Sequence, residues 1–227
     1  MKNQEWNPEF YWTNDITQCV DDINRPHEDY PVRNDITLKV LEHYIKKFSN
    51  IEKSYEDNFG YDCIEKTIVL TIIDIFDMHR DIMSVSGITP DGSMIYPLSE
   101  DELGDFRTHT VMVGVTIPPA PQKLPEMIKS VLPIYIQSME KDMDELCRFN
   151  LYVLYNTEDM LKWNFIENFD TITKQKYLEI LAKNLKKWYI AFENIHPFSD
   201  GNGRVGGIVV ALLSYIYSGQ FLAPKRN

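Results

Sequence analysis

A short segment near the C-terminus, residues 195–207, gathers the residue types that phosphate chemistry requires. His196 is the one side chain there that exchanges protons near neutral pH. Asp200 offers a hard oxygen ligand of the kind that Mg²⁺ takes, and Arg204 offers a planar cation that matches phosphate oxygens. A base, a metal-binding carboxylate and an arginine within nine residues predict phosphate-ester chemistry in this segment.

Four glycines surround that arginine. Gly201 and Gly203 allow a sharp turn and a close approach of the backbone to a ligand, because no Cβ stands in the way. Gly206 and Gly207 extend this freedom into the helix that follows, whose first amides carry the positive end of the helix dipole and can cradle an anion. The alternative is an ordinary helix–loop–helix turn with a surface histidine, but several functional residue types in one loop argue against it.

Composition limits the classes of function. The 227 residues include 34 acidic and 23 basic side chains, and the net charge of −11 argues against a broad nucleic-acid interface. Three scattered cysteines without metal-ligand spacing predict reduced thiols in a cytosol-like compartment. The first residues lack a secretory pattern, and the longest apolar run, residues 206–217, is too short to cross a bilayer. We therefore expect a soluble protein without membrane contact, either cytoplasmic or a secreted effector acting in a host cytosol.

Apolar spacing predicts a largely helical chain. It indicates helices from about residue 35, then over 62–84, 124–139, 141–155, 173–192 and 208–217, of which the last is apolar on all sides and therefore central. Residues 106–117 alternate and are rich in β-branched side chains, which predicts a short hairpin that ends at Pro118. The expected fold is all-α, a helical bundle with one small β-hairpin flap. Residues 1–50 are expected to form a loop-rich arm and a lead-in helix, and residues 51–227 the main domain.

The motif in the chemical segment resembles that of a known family. Residues 196–204, HPFSDGNGR, match position for position the motif His-Pro-Phe-x-(Asp/Glu)-Gly-Asn-Gly-Arg of the Fic (filamentation induced by cAMP) family. Residues 76–83, FDMHRDIM, resemble the first core helix of that family. Residues 104–119, GDFRTHTVMVGVTIPP, resemble the flap of the animal-type Fic protein adenylyltransferases. The resemblance covers about residues 62–222 and implies a Fic-type bundle.

The resemblance implies a protein adenylyltransferase that uses ATP and Mg²⁺. His196 would take the proton from a Ser, Thr or Tyr hydroxyl of a target protein, which then attacks the α-phosphate of ATP. Phe198 would anchor the loop in the core, and Asp200 would hold Mg²⁺. The remaining nucleotide contacts would come from Gly201, Asn202, Gly203 and Arg204, and from Val113 and Gly114 of the flap. Dimers are common in the family, so the resemblance also allows a homodimer.

The sequence departs from the family pattern at defined places. The full motif carries a second arginine three residues after Arg204, where this chain has Gly207. Many members restrain themselves with a Ser/Thr-x-x-x-Glu helix that pairs with that arginine, and no glutamate of this chain has Ser or Thr four residues before it. Residues after the last helix usually frame the adenine, and here only residues 218–227 follow the predicted helix.

Three functions remain open from the sequence. The leading one is AMP transfer from ATP. The second is a Fic-fold transferase with another nucleotide orientation, although relatives that act as kinases carry lysine where this chain has Gly203. The third is a degenerate Fic fold that serves as a binding or regulatory module. Outside the motif, His79 is interpreted as a packed or capping residue.

Overall fold

The computed structural model describes residues 8–25, 30–58, 72–88, 92, 94–95, 97–129 and 171–225. Within these ranges the α-helices are α1 (Ile16–Asn24), α2 (Tyr30–Asn58), α3 (Ile72–Met83), α4 (Thr171–Ile195) and α5 (Asn202–Ser218). A 3-10 turn spans Pro121–Lys123 and leads into helical residues 124–129. The predicted helix over 141–155, and the first part of the one over 62–84, lie outside the described residues.

The strands are short and pair in twos. Strand β1 (Phe10–Thr13) pairs antiparallel with β4 (Phe221–Pro224), with Phe10 opposite Pro224. Strand β2 (Gly87–Ile88) pairs with β3 (Met94–Ile95). The predicted hairpin over 106–117 is reduced to one bridge between Val113 and Thr116. The fold is therefore mostly helical with small β elements, which confirms the predicted class.

Helix α5 forms the centre of the bundle. It contacts α1, α2, α3, α4 and β4. Every residue from Arg204 to Ser214 is buried, so the helix has no solvent-facing side over this stretch. The sequence predicted this central helix correctly, but the helix begins at Asn202, inside the motif, and not at Ile208.

The N-terminal segment, residues 10–24, corrects the expectation of a loop-rich arm. Strand β1 and helix α1 occupy it, and the Asp15 side chain caps α1 by accepting hydrogen bonds from two backbone amides. Cys19, Val20 and Ile23 of α1 are buried in the core. Local periodicity could not predict this structure, because α1 is short and because β1 pairs with a strand at the other end of the chain.

Among the described helices, none is both long and apolar enough to cross a membrane.

Candidate active site

His196 lies where helix α4 ends. Its backbone amide donates to the Phe192 carbonyl over 2.9 Å, which closes the last turn, and its φ of +50° reverses the chain direction. A positive φ is uncommon for a residue with a side chain and often occurs at functional positions. The imidazole is 14% exposed, so it sits at the edge of the core with a limited opening to solvent.

The surroundings of His196 favour its neutral form. Burial lowers the pKa of the imidazole below its ordinary value, and the nearby Arg107 guanidinium lowers it further. The backbone of Glu193 and the Asp200 carboxylate act in the opposite direction without reversing the shift. Glu193 also places a carboxylate oxygen 4.0 Å from Nδ1. A neutral imidazole at pH 7 can accept a proton, which a general base requires.

Residues 196–201, which we call the motif loop, are closed by Phe198 and Asn202. The Asn202 side chain accepts a hydrogen bond from the Phe198 amide and donates one to the Phe198 carbonyl, each over 2.9 Å. The Phe198 ring is fully buried and stacks on His79 with 3.9 Å between ring centroids. Phe198 therefore lies where an anchor of the loop would be. Both ends of the Asn202 side-chain amide are thus hydrogen-bonded within the loop, and the Asn202 backbone N–H is left for a ligand.

Asp200 lies at the open side of the loop. Its side chain is 56% exposed, and one carboxylate oxygen is 3.3 Å from an Nη of Arg204. The other accepts the Gly201 amide over 2.6 Å. No group of three or more His, Cys, Asp or Glu side chains in the described ranges converges as a complete metal cage. One exposed carboxylate suits Mg²⁺, which typically takes one or two protein carboxylates together with substrate phosphates and water.

The start of helix α5 has the properties of an anion site. Gly201 precedes the helix with φ +78° and gives it no side-chain cap. The helical hydrogen bonds begin with the Val205 amide, which donates to the Gly201 carbonyl over 3.0 Å, so the amides of residues 202–204 have no carbonyl of their own helix to bind. Arg204, whose side chain is 2% exposed, adds a positive charge beside these amides.

Gly207 has a different environment from the glycines at the start of the helix. A Cβ at this position would lie 3.0 Å from Cγ1 and 3.2 Å from Cγ2 of Ile23 in helix α1. A Cβ on Gly203 would meet its nearest atom, the Tyr189 hydroxyl oxygen, at 3.6 Å, an ordinary contact. Helix α1 therefore occupies the space that a side chain at Gly207, the position of the family's second arginine, would need.

The flap, residues 104–120, is held at its base. The backbone of Gly104 has φ +67°, and its amide donates to Nδ1 of His79 over 2.9 Å. At the tip, Val113 and Thr116 exchange two backbone hydrogen bonds, and Gly114 between them has φ +58°. Among the described atoms, none lies within 4 Å of a Cβ added to Gly114. Val113 and Gly114 thus lie at the tip of the flap, whereas the other predicted site residues lie together in and after the motif loop.

Two residues at the site, His79 and Arg107, were not predicted from the sequence as functional candidates. His79 is fully buried and, besides accepting from Gly104, lies with Nε2 3.1 Å from the Asp200 carbonyl oxygen. Burial lowers the pKa of His79 to about 4. Arg107 is 2% exposed and binds backbone carbonyls of both the motif loop and the flap. The only sequence signal for Arg107 is a charge within the β-branched stretch, and the partners of both residues are backbone atoms, which leave no signature.

The comparison with protein families agrees with this geometry. The model of the Fic/DOC family matches residues 69–214, well over half of the chain, and this range contains helix α3, the flap and the motif loop. The chain therefore belongs to the Fic/DOC family. Members of this family usually transfer a nucleoside monophosphate to proteins and typically bind ATP and a divalent metal. No curated protein matches the chain.

Proposed function

We propose that this chain is a protein adenylyltransferase that transfers AMP from ATP to a Ser, Thr or Tyr hydroxyl of a target protein. The observation that carries the proposal is the arrangement of one loop, in which the neutral His196 imidazole adjoins the uncapped start of helix α5, with Arg204 and Asp200 beside it. A proton acceptor next to an anion cradle is what a hydroxyl attacking a phosphate requires. The family assignment supports the same reaction class.

The proposed reaction begins at the imidazole. Nδ1 of His196 faces Glu193, which leaves Nε2 to take the proton from the target hydroxyl. The hydroxyl oxygen then forms a bond to the α-phosphorus of ATP, the bond to the β-phosphate bridging oxygen breaks, and pyrophosphate leaves. The target keeps AMP, and the imidazolium releases its proton to solvent.

The other proposed roles follow from position. The amides of residues 202–204 and the Arg204 guanidinium would bind phosphate oxygens. Asp200 would hold Mg²⁺, which when bound neutralises phosphate charge. Val113 and Gly114 would cover the nucleotide and bind an extended target segment by strand addition. We also propose kinship with the animal-type enzymes. The predicted boundary between residues 50 and 51 falls inside helix α2 (Tyr30–Asn58), so the lead-in helix runs on into the main domain.

Transfer of labelled AMP tests the proposal. The chain is incubated with ATP labelled at the α-phosphate, Mg²⁺ and a lysate, and intact-mass spectrometry checks the chain for its own modification. We expect label on protein bands with the wild type and none with His196→Ala. His109→Ala is the matched control, because His109 is an exposed flap histidine, and it should retain labelling. No labelling, or equal labelling by His196→Ala, contradicts the proposal.

A second candidate is a Fic-fold phosphotransferase that binds the nucleotide in another orientation and so transfers a different phosphate group. The observation that favours it is Gly207 at the place of the second arginine, packed against Ile23, which leaves the phosphate end of the site without that cation. Parallel reactions with α-labelled and γ-labelled ATP distinguish the reactions, since a kinase transfers only the γ label. Calorimetry with ATP and Mg²⁺ addresses the third function, because a binding module without nucleotide affinity would give no heat.

A further inference from the structure

Arg107 joins the two parts of the site that a transferase must keep in register. Its guanidinium donates hydrogen bonds from Nε to the His196 carbonyl over 2.7 Å, from Nη1 to the His109 carbonyl over 2.8 Å, and from Nη2 to the Pro119 carbonyl over 2.5 Å. The Arg107 amide also donates to the Pro197 carbonyl over 2.9 Å. Its acceptors thus lie on the motif loop and on both legs of the flap.

The bond to His196 fixes the backbone of the proposed base. On one side, the His196 amide donates a hydrogen bond to the Phe192 carbonyl, and on the other, the His196 carbonyl accepts one from Arg107. Between these two hydrogen bonds the backbone has φ +50°. A left-handed backbone at a residue with a side chain persists only where its neighbours enforce it. The direction of the imidazole follows from that backbone, so Arg107 contributes to where the ring points.

The bonds to His109 and Pro119 fix the flap with the same group. These residues lie on the two legs that lead to the Val113–Thr116 tip. Only arginine can serve three separated carbonyls at once, because its planar fork offers five donors, whereas lysine offers a single ammonium group. The buried guanidinium therefore ties the height of the flap to the position of His196.

We propose that Arg107 is a positioning residue that sets the distance between a target segment bound to the flap and the His196 imidazole. The inference rests on the proposed transfer function, but its structural part does not depend on it. Removing the guanidinium should loosen the flap and the motif loop together while the phosphate site at the start of helix α5 keeps its residues.

Two substitutions separate geometry from charge. Arg107→Gln removes the charge and most of the donors, and Arg107→Lys keeps the charge but cannot reach three carbonyls. Arg25→Lys is the matched control, because Arg25 is an exposed arginine paired with Asp21 at the end of helix α1, away from the flap. We expect transfer to fall by about 100-fold in both Arg107 variants, a loss typical of a misplacement of about 1 Å. MgATP affinity should weaken much less than transfer does, because the amides of residues 202–204 and Arg204 are retained, and Arg25→Lys should resemble the wild type.

Two readouts work without any transfer reaction. In both Arg107 variants, the amides of residues 104–120 and 196–200 should exchange hydrogen faster than in the wild type, while the middle of helix α5 stays protected. By NMR titration, the pKa of His196 should rise in both variants, because a looser motif loop relieves the burial that lowers it, and should rise further in Arg107→Gln, where the cation that also lowers it is gone. The other charged groups near this ring, Glu193 and Asp200, are unchanged in both variants.

The outcomes distinguish this inference from the proposed function. If the wild type transfers no AMP, exchange and titration still decide the role of Arg107. Faster exchange throughout the chain would show a merely structural residue and overturn the inference. Transfer within a few-fold of the wild type in both variants would overturn it as well. If Arg107→Gln does not fold, Arg107→Lys carries the exchange and transfer measurements alone.

Discussion

The flap and the N-terminal segment both pack against the unit formed by the motif loop and helix α5, but with a different balance of contacts. The flap is held at its base by polar contacts from Arg107 and His79 to backbone atoms and by an edge-to-face contact between Phe106 and Phe76, and its tip residue Val115 is 98% exposed. The N-terminal segment is held mainly by apolar burial, with Ile23 fully buried against Gly207 and β1 paired to β4. The contacts at the flap base orient the flap while its tip stays exposed, whereas the contacts of the N-terminal segment bury one side of helix α5.

This difference changes the interpretation of Gly207. Viewed from the motif alone, glycine at this position is the loss of a phosphate-binding arginine. In the fold it is the position that lets helix α1 approach α5, because even a Cβ would be only 3.0 Å from Ile23. The N-terminal segment and Gly207 are therefore two halves of one packing arrangement.

Gly207→Arg should give the largest effect, because it puts a long charged side chain into the contact with Ile23. Overpacking alone costs about 1–3 kcal/mol, and an unpaired buried charge adds several more, so we expect most of the stability to be lost. Urea denaturation of the variant measures this loss. Gly203→Ala is the control and should cost about 1 kcal/mol or less, since its Cβ makes ordinary contacts. Wild-type stability with tighter MgATP binding in Gly207→Arg would mean that α1 moves aside.

A double-mutant cycle between Ile23 and Gly207 should give the next largest effect. Ile23→Ala should destabilise the chain by about 2–5 kcal/mol because it leaves a cavity. Gly207→Ala should cost about 1–3 kcal/mol through crowding. In the double variant the new methyl group enters the space that Ile23 vacates, so the combined cost should be smaller than the sum of the two. Strict additivity in denaturant unfolding would show that the two residues do not share this contact.

The features predicted correctly from sequence are the local ones. The motif loop is contiguous, and the apolar run of helix α5 spans several turns, so composition and spacing within one window were enough. The motif also predicted Phe198 as the anchor of the loop; its ring is fully buried, and the anchoring role stays a prediction. The start of α5 was misplaced because Asn202 to Gly207 contain three glycines, which are poor helix formers, and packing overrides that preference here.

The features that escaped prediction depend on long-range contacts with backbone atoms. Arg107 and the His196 carbonyl are 89 residues apart, and His79 and the Asp200 carbonyl are 121 apart. Every residue has a carbonyl, so no residue type at the partner position signals such a bond. Strand β1 was missed for a related reason, since its partner strand β4 lies near the other end of the chain.

Acid should loosen the flap base before it affects the N-terminal segment. The pKa of His79 is about 4 in the fold against 6.5 in the unfolded chain. Between those values the unfolded state binds a proton that the folded state does not, so the free energy of unfolding falls as pH drops from 6.5 to 4. The loss is at most roughly 3 kcal/mol. His196, whose pKa is also lowered, acts in the same direction.

The pH dependence of urea unfolding measures this loss, and His79→Gln provides the comparison. Glutamine keeps a donor and an acceptor but does not titrate, so this variant should lose most of the dependence between pH 6.5 and 4. His109→Gln, at an exposed flap position, should keep it. Lowering the pH to 5 should reduce the protection of amides from hydrogen exchange more in residues 104–120 than in residues 10–24. Equal acceleration of both segments would contradict the contrast between them.

Val115→Ser should have the smallest effect on stability and a selective effect on function. The Val115 side chain is 98% exposed, so the change in the free energy of unfolding should stay within about 0.5 kcal/mol, in contrast to the buried aliphatic Ile23. If the flap tip binds the target, kcat/KM for the protein target should fall severalfold while the dissociation constant for MgATP is unchanged. Steady-state transfer and calorimetry measure the two quantities. A loss of stability comparable to that of Ile23→Ala would mean that the tip is packed and would remove the distinction between an open flap and a sealed N-terminal segment.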